Sequence, residues 1–417
     1  MPLKRAKIFI IIVFLFLAFF FSNDFGLIDI EKTAIITAVA VDYGEDNEYK
    51  VTAQIAVPEA SDVSSENAKA HVIGKGATVG SAIKNVGDIS GWFPNLSFCN
   101  LIILGKPLAE DNVMTVLDYF TKTLRIQDSA IVVLADGKAG DLITKSTPLD
   151  NISSFALQKI LLKNPGHDKD TATVDIKTFC SGYYSDSHSS FMPLIKLEEF
   201  KTNSQDGAQS GGNSEQGGNS GGLGALGDSS SGSAGADSGL DGKGKTIFNG
   251  KTTALFKNGK MVGELLDEET FIFNMLSKKV TASTLEITDV SWMGEKKNFL
   301  ITLQRVNPKI KIDIVENQPT VKISLEVFCK ISDQNTETSD FAYTENIPLP
   351  LPVQTRATEQ ITAGLDAYIK TLINTDCDML NLKLKLYRYH YDRYSSFKDN
   401  LLSVMNYTSS VTVHGQK

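Results

Sequence analysis

The 417-residue chain lacks the short motifs that announce an enzyme. It has no GxSxG elbow, no HExxH pair, no phosphate loop and no GxGxxG between strand and helix. The stretch Gly74 to Gly80, GKGATVG, has the glycines of a phosphate loop but not its Lys-Ser ending, and reads as a loop before a helix. Histidine is scarce. His71, His167, His188, His390 and His414 never share metal-ligand spacing on one element. Asp168 and Asp170 beside His167 read as solvated charge in a polar loop. Cysteine is scarce too. Cys99, Cys180, Cys329 and Cys377 are far apart with no CxxC, and are expected as buried thiols; a disulfide among them is also compatible with an exported chain. Basic stripes are missing beyond the N-terminus and the net charge is −8, which argues against nucleic acid. No internal repeat is evident.

What is present begins at the N-terminus. Lys4, Arg5 and Lys7 precede an unbroken apolar run from Ile8 to Phe21 that includes Ile12, Phe14, Leu15 and Phe19. A basic head on a short apolar run is an export signal, and its charge holds that end in the cytoplasm. Bulky phenylalanines occupy the places where a signal peptidase needs small residues, which favours an uncleaved anchor. The run is short for a spanning helix, which needs about 20 apolar residues, but Phe25, Leu27 and Ile28 can extend it. The alternative is a cleaved signal and a soluble exported protein. Either way, the rest of the chain is expected outside the cytoplasm.

Between residues 203 and 243 the sequence turns to Gly, Ser, Asn and Asp. Such a segment has almost nothing to bury and is expected to be disordered. It is either an interdomain linker or a loop inserted within one domain, and the flanks favour the loop. Strand patterns at Ser190 to Leu197 and Lys251 to Lys257 can pair across it. The expected partition is a signal or anchor segment at 1–28, an α/β-type unit at 29–136, a middle domain at 137–278 interrupted by 203–243, and an α+β domain at 279–417. The first unit opens with a hairpin, Thr33 to Val41 and Tyr49 to Val57. Helices follow at Ala77 to Ile89 and Glu110 to Leu124, and buried strands at Leu101 to Leu104 and Ala130 to Ala135. Asp136, Gly137 and Asp141 between that last strand and the next helix superficially resemble a strand-end site, though capping explains them equally. Asp267 reads as an N-cap, with Glu268 and Glu269 in the first turn. In the last domain, β-rich stretches with a turn at Asn307-Pro308 lead to helices at Thr358 to Leu372 and Asp376 to Tyr389. Trp92-Phe93-Pro94 is a conspicuous aromatic loop, able to dock a partner or to plug a core edge. The cluster Tyr387, Tyr389, His390, Tyr391, Tyr394 and Phe397 reads as packing, or as a binding platform.

Three stretches resemble the Ger(x)C family, the C subunits of nutrient-germinant receptors in endospore-forming bacteria. Ile30 to Asp42, IEKTAIITAVAVD, with YKVTAQI at Tyr49 to Ile55, is similar to the family's start. Thr253 to Thr270, TALFKNGKMVGELLDEET, is the most specific: a strand, the Asn258-Gly259 turn, a short strand ending in Gly263, and a helix opened by Asp-Glu-Glu. Lys309 to Ile314, KIKIDI, is the third. By their own chemistry Asn258 and Gly259 suit a type I′ turn and Gly263 lets the chain turn into the helix, roles that are structural. The resemblance implies three α+β domains, no catalytic activity and no cofactor. It also implies a place on the outer face of the spore inner membrane with integral A and B subunits, one of them transporter-like. Family members usually carry a lipoprotein cysteine before a Trp-Asp pair, and Phe21 to Phe25 has neither. A retained apolar helix would replace the lipid.

The expected fold is therefore α+β and multi-domain, with mixed or antiparallel sheets flanked by helices, an N-terminal anchor helix and a disordered insertion. The expected function is assembly or nutrient response within a germinant receptor. Rival readings are an anchored extracytoplasmic small-molecule-binding protein and an exported enzyme, the latter with no paired carboxylates to support it.

Overall fold

The structure is a computed structural model that describes residues 9, 11–16, 33–46, 48–56, 71–122, 126–145, 153–162, 171–199, 246–277, 280, 282–292, 294–334 and 349–415. Lys4, Arg5, Lys7, Ile8, Phe19, the 203–243 segment and the His167 loop lie outside the described residues. Residue 9 and residues 11–16 are helical and exposed, Ile12, Phe14 and Leu15 among them. Among the described residues no helix is long and apolar enough to cross a membrane.

The architecture is α+β, with mixed and antiparallel sheets flanked by helices. The first sheet has nine strands: β1 Thr33–Tyr43, β2 Tyr49–Ala56, β3 His71–Gly76, β4 Phe93–Asn95, β5 Leu101–Gly105, β6 Ile131–Ala135, β7 Ser189–Glu199, β8 Thr246–Lys257 and β9 Lys260–Leu265. Their order is β3-β2-β1-β5-β6-β7-β8-β9, with β4 pairing β1. The centre is parallel, β1 to β5 to β6 to β7, and antiparallel hairpins complete both flanks. A parallel sheet is covered on both faces, so its strands are apolar throughout. β5 and β6 accordingly bury all their residues. Leu101, Ile103 and Val133 meet α4 Ala139–Thr144 and α5 Ser153–Leu161 on one face. Ile102, Leu104 and Val132 belong to the larger core on the other face. That core includes α1 Val79–Ser90, α2 Lys106–Asp111, α3 Met114–Lys122 and α6 Ile176–Tyr183.

The stretches 29–136 and 137–278 thus contribute to one sheet. They meet at a thin join, two residue pairs between β6 and β7, Leu134 with Leu194 and Ala135 with Ile195. β7 and β8, the strands that flank 203–243, pair with each other. α7 Asp267–Leu276 follows β9.

The second sheet runs β10 Thr284–Trp292, β11 Glu295–Val315, β12 Gln318–Gln334 and β13 Asn406–Gly415. Val321, Ile323, Leu325 and Val327 are buried while their neighbours are more open, the alternation of a sheet covered on one side. The cover is α8 Leu351–Thr375, about 37 Å long, through Ala357, Ile361, Leu365 and Ile369. α9 Leu382–Tyr389, α10 Tyr391–Phe397 and α11 Leu401–Val404 complete the crossover to β13, which pairs β12 in parallel.

Several expectations are corrected. Where one helix is expected from Glu110, the described residues form two, Lys106–Asp111 and Met114–Lys122, because Asn112 interrupts: its backbone is extended and its side chain accepts from Met114 N at 3.0 Å. Asn307-Pro308 is no turn. β11 runs straight through it, and because β10 pairs β11 only as far as Thr302, the proline sits on an open edge where a missing N–H costs little. Gly74 and Gly76 belong to β3, where α1 packs so closely that a Cβ on Gly74 would lie 2.2 Å from Ala82 O. Asp267 is inside α7. The free N–H of Leu266, which precedes the helix, instead meets Glu269 Oε2 at 2.9 Å. α8 begins earlier than Thr358, with Pro352 in its first turn, and α9 begins only at Leu382.

Candidate functional site

Open α/β sheets bind ligands outside the carboxyl ends of their parallel strands, against helix N-termini. Here that place is filled by the chain itself. Asp42, near the end of β1, accepts from Ala139 N at 2.7 Å and Gly140 N at 2.9 Å, the first amides of α4. Gly105 makes room, since a Cβ there would lie 2.2 Å from Asp42 Oδ1. Burial raises the Asp42 carboxyl above its ordinary value, although the Gly140 and Ala139 amides pull the other way. Alongside, Lys106 Nζ meets Asp136 Oδ1 at 2.6 Å, a bond that raises the lysine's pKa. Gln54, also buried, accepts from Ser154 N at 3.2 Å through Oε1 and steadies the start of α5. The cap that the sequence places at Asp136 or Asp141 is therefore supplied by Asp42 from β1.

The Thr253 to Thr270 stretch forms a seam between the two sheets. Asn258 (φ 52°) and Gly259 (φ 79°) make the tight turn of the β8–β9 hairpin, both with the positive φ of a type I′ turn. The turn docks on the α2–α3 break: Val113 N donates to Gly259 O at 3.0 Å, and a Cβ on Gly259 would lie 2.2 Å from Asn112 Oδ1. Gly263 lies inside β9 and does not turn the chain. Its missing side chain admits Thr375 at the end of α8, 2.6 Å from where a Cβ would stand. Lys257 Nζ reaches Asp376 O at 2.7 Å and Asp376 Oδ2 at 3.0 Å. Glu269 Oε1 accepts from Thr371 Oγ1 at 2.5 Å, tying α7 to α8, while Glu268 is exposed. Sequence reasoning missed Asp378. Its amide donates to Ser189 Oγ at 3.0 Å, and its carboxylate takes Leu382 N and Lys383 N at 2.8 and 2.9 Å, opening α9. An aspartate four residues before a helical run was the available signal.

All four cysteines are buried and unpaired, and burial pushes the Cys99 and Cys377 thiols up to about 12. Among the described residues no cluster of His, Cys, Asp or Glu could hold a metal. In the C-terminal aromatic cluster, Tyr387 stacks edge-on against Tyr391 and Tyr394, and Tyr394 OH donates to Asp186 Oδ2 at 2.8 Å, a packing role that joins the two sheets' units. His390 Nε2 meets Ile312 O at 3.0 Å, and Tyr389 and Tyr391 stay exposed. A cleft of about 380 Å³ lies between α7, α8 and β10, with Phe271, Ile272 and Ile361 inside and Lys251 and Glu268 among its lining.

Residues 27–197 match the family model described as "Spore germination protein N-terminal domain". Residues 251–414 match "Spore germination B3/ GerAC like, C-terminal". Spore germination protein B3 of Bacillus subtilis (strain 168) is 29% identical over 151 residues, 35% of this chain and 39% of that protein, so the match spans about two fifths of the relative. The crystal structure of the GerBC protein aligns with a TM-score of 0.50 and 18% identity over 93% of this chain and 100% of that one, a likeness of fold.

Proposed function

We propose that this chain, which belongs to the Ger(x)C family of spore germination proteins, works as the C-type subunit of a germinant receptor. It has no chemistry of its own in this reading. It supports assembly or nutrient response beside integral A and B subunits, held by its apolar N-terminal run on the extracytoplasmic face of the spore inner membrane. One observation carries the reading. The strand-end position where an α/β sheet would take a substrate is occupied by Asp42, while the family-like stretch Thr253 to Thr270 is braced along the β8–β9 seam. Such a body suits transmission of position better than turnover.

The test is affinity capture from detergent-solubilised spore membranes through a tag on the C-terminus, read by mass spectrometry. Recovery of a polytopic transporter-like protein and a second integral subunit is the expected result. Recovery of the chain alone from the soluble fraction sinks both the anchor and the assembly role. A second reading, an anchored extracytoplasmic small-molecule-binding protein, draws on the 380 Å³ cleft, which is of ligand size. Calorimetric binding of nutrient amino acids or sugars to the purified chain would favour it.

A further inference from the structure

The amino ends of the parallel strands carry a surface that the receptor reading leaves unused. The chain enters the fold at Thr33, which pairs in parallel with Phe93, and Ala34 pairs with Pro94. Around that point Trp92 is 45% exposed, Phe93 40%, Phe98 56% and Ile89 62%. The loop is fixed in place. β4 continues β5 along β1, and a Cβ on Gly87 of α1 would lie 2.8 Å from Pro94 Cδ. Behind the aromatics a groove of about 690 Å³ is lined by Ile83, Leu96 and Tyr119. A fixed, water-facing group of Trp, Phe and Ile is costly unless something apolar covers it.

Chain geometry says what covers it. The apolar run ends near Phe21, and the dozen residues from there to Thr33 span at most about 40 Å. Whatever membrane takes up that run lies within this reach of β4, the strand that Trp92 precedes. Tryptophan and phenylalanine at such a level favour the interface between headgroups and acyl chains.

We infer that Ile89, Trp92, Phe93 and Phe98 form a lipid-interface contact that seats the amino end of the nine-stranded sheet on the bilayer. The inference rests on the anchored reading. A single tether leaves a domain free to rotate. A second contact fixes its tilt, and turns the Asp42 end of the parallel strands away from the membrane.

The chain has two tryptophans, Trp92 and Trp292, which makes the test direct. Full-length protein is reconstituted in nanodiscs of phosphatidylcholine and phosphatidylglycerol containing a lipid spin-labelled at the headgroup. Trp292→Phe leaves Trp92 as the sole reporter, and Trp92→Phe leaves Trp292. A roughly twofold or greater loss of Trp92 emission is expected, with Trp292 unaffected. If Trp292→Phe does not fold, the emission that the unsubstituted chain loses beyond Trp92→Phe gives the same reading. Unquenched Trp92 in protein that co-elutes with the discs overturns the contact and leaves the anchor standing. A blue shift of Trp92 that requires co-purified receptor subunits, without lipid quenching, overturns it in favour of a protein partner. Protein that elutes free of the discs sinks the anchor reading. The same quenching measured with free vesicles then decides the surface by itself, and no quenching there overturns it.

Discussion

The two ends of the parallel strands in the nine-stranded sheet solve opposite problems. At the carboxyl end a buried carboxylate, Asp42, meets the first amides of α4, and Lys106 pairs with Asp136 beside it. At the amino end, Trp92, Phe93 and Phe98 stay exposed where the chain enters the fold. In ligand-binding α/β proteins the carboxyl end is the open one. Here polar groups that could bind a substrate are spent on each other, and the exposed surface is apolar and at the other end. The contrast sets a strand end that the chain closes with its own side chains against an apolar end that it leaves exposed.

The closed end breaks most severely through Gly105. A side chain at that position would lie 2.2 Å from Asp42 Oδ1 and expel the carboxylate from its site. Gly105→Ala is expected to cost about 3 to 5 kcal/mol, combining overpacking with two buried amides left bare. A thermal melt within a degree or two of the parent would show that Asp42 does not hold α4. Asp42→Ala removes the same two bonds without overpacking and is expected to cost about 3 kcal/mol.

Asp42→Asn sharpens the comparison through pH. The amide keeps one acceptor but turns an N–H₂ toward an amide donor, a loss of about 1 to 3 kcal/mol. Burial raises the Asp42 carboxyl above 3.8 in the folded protein, so the folded state holds its proton to higher pH than the unfolded state. That group's stabilisation is complete below its unfolded value and is lost as pH rises through the folded one. The parent's advantage over Asp42→Asn is therefore expected to be larger near pH 4 than near pH 7. Paired denaturation curves at the two pH values read it; an advantage that grows toward neutrality contradicts a buried, raised carboxyl.

Much of this was legible in the sequence and some was not, for identifiable reasons. The β1–β2 hairpin, β5, β6 and the Asn258-Gly259 turn stand out because period and turn chemistry are local. The alternation of Val321 to Val327 correctly marks a sheet open on one side. β13 is hidden by its polar sequence, NYTSSVTVHG, which becomes a strand only because β12 offers a parallel partner. The break at Asn112 depends on Gly259 docking from a distant hairpin, and β11 passes through Pro308 only because that edge is unpaired. Asp42 stood out through family resemblance, but its partners Ala139 and Gly140 are 97 and 98 residues away. No local pattern carries that distance.

The seam offers a control of intermediate size. Gly263→Ala would put a Cβ 2.6 Å from Thr375 Cγ2, a side-chain contact that can shift. A loss of about 1 to 2 kcal/mol is expected. A loss as large as that of Gly105→Ala would mean the β9–α8 contact is as unyielding as the Asp42 clip, and the ranking of closed and adaptable sites would fall.

The smallest effect belongs to the open end. Phe98 and Ile89 are 56% and 62% exposed, so their apolar atoms are largely in water in the isolated protein. Replacing either with serine removes little buried area and is expected to change stability by no more than about 0.5 kcal/mol. If either serine substitution costs more than about 1.5 kcal/mol in denaturant titration, that side chain is core and the amino end is not a free surface. If both are neutral in solution, the aromatic group owes nothing to the fold. Its presence beside Thr33 then needs an explanation outside the folded body of the protein, and the difference between the two ends becomes one between a contact the chain makes with itself and one it holds in reserve.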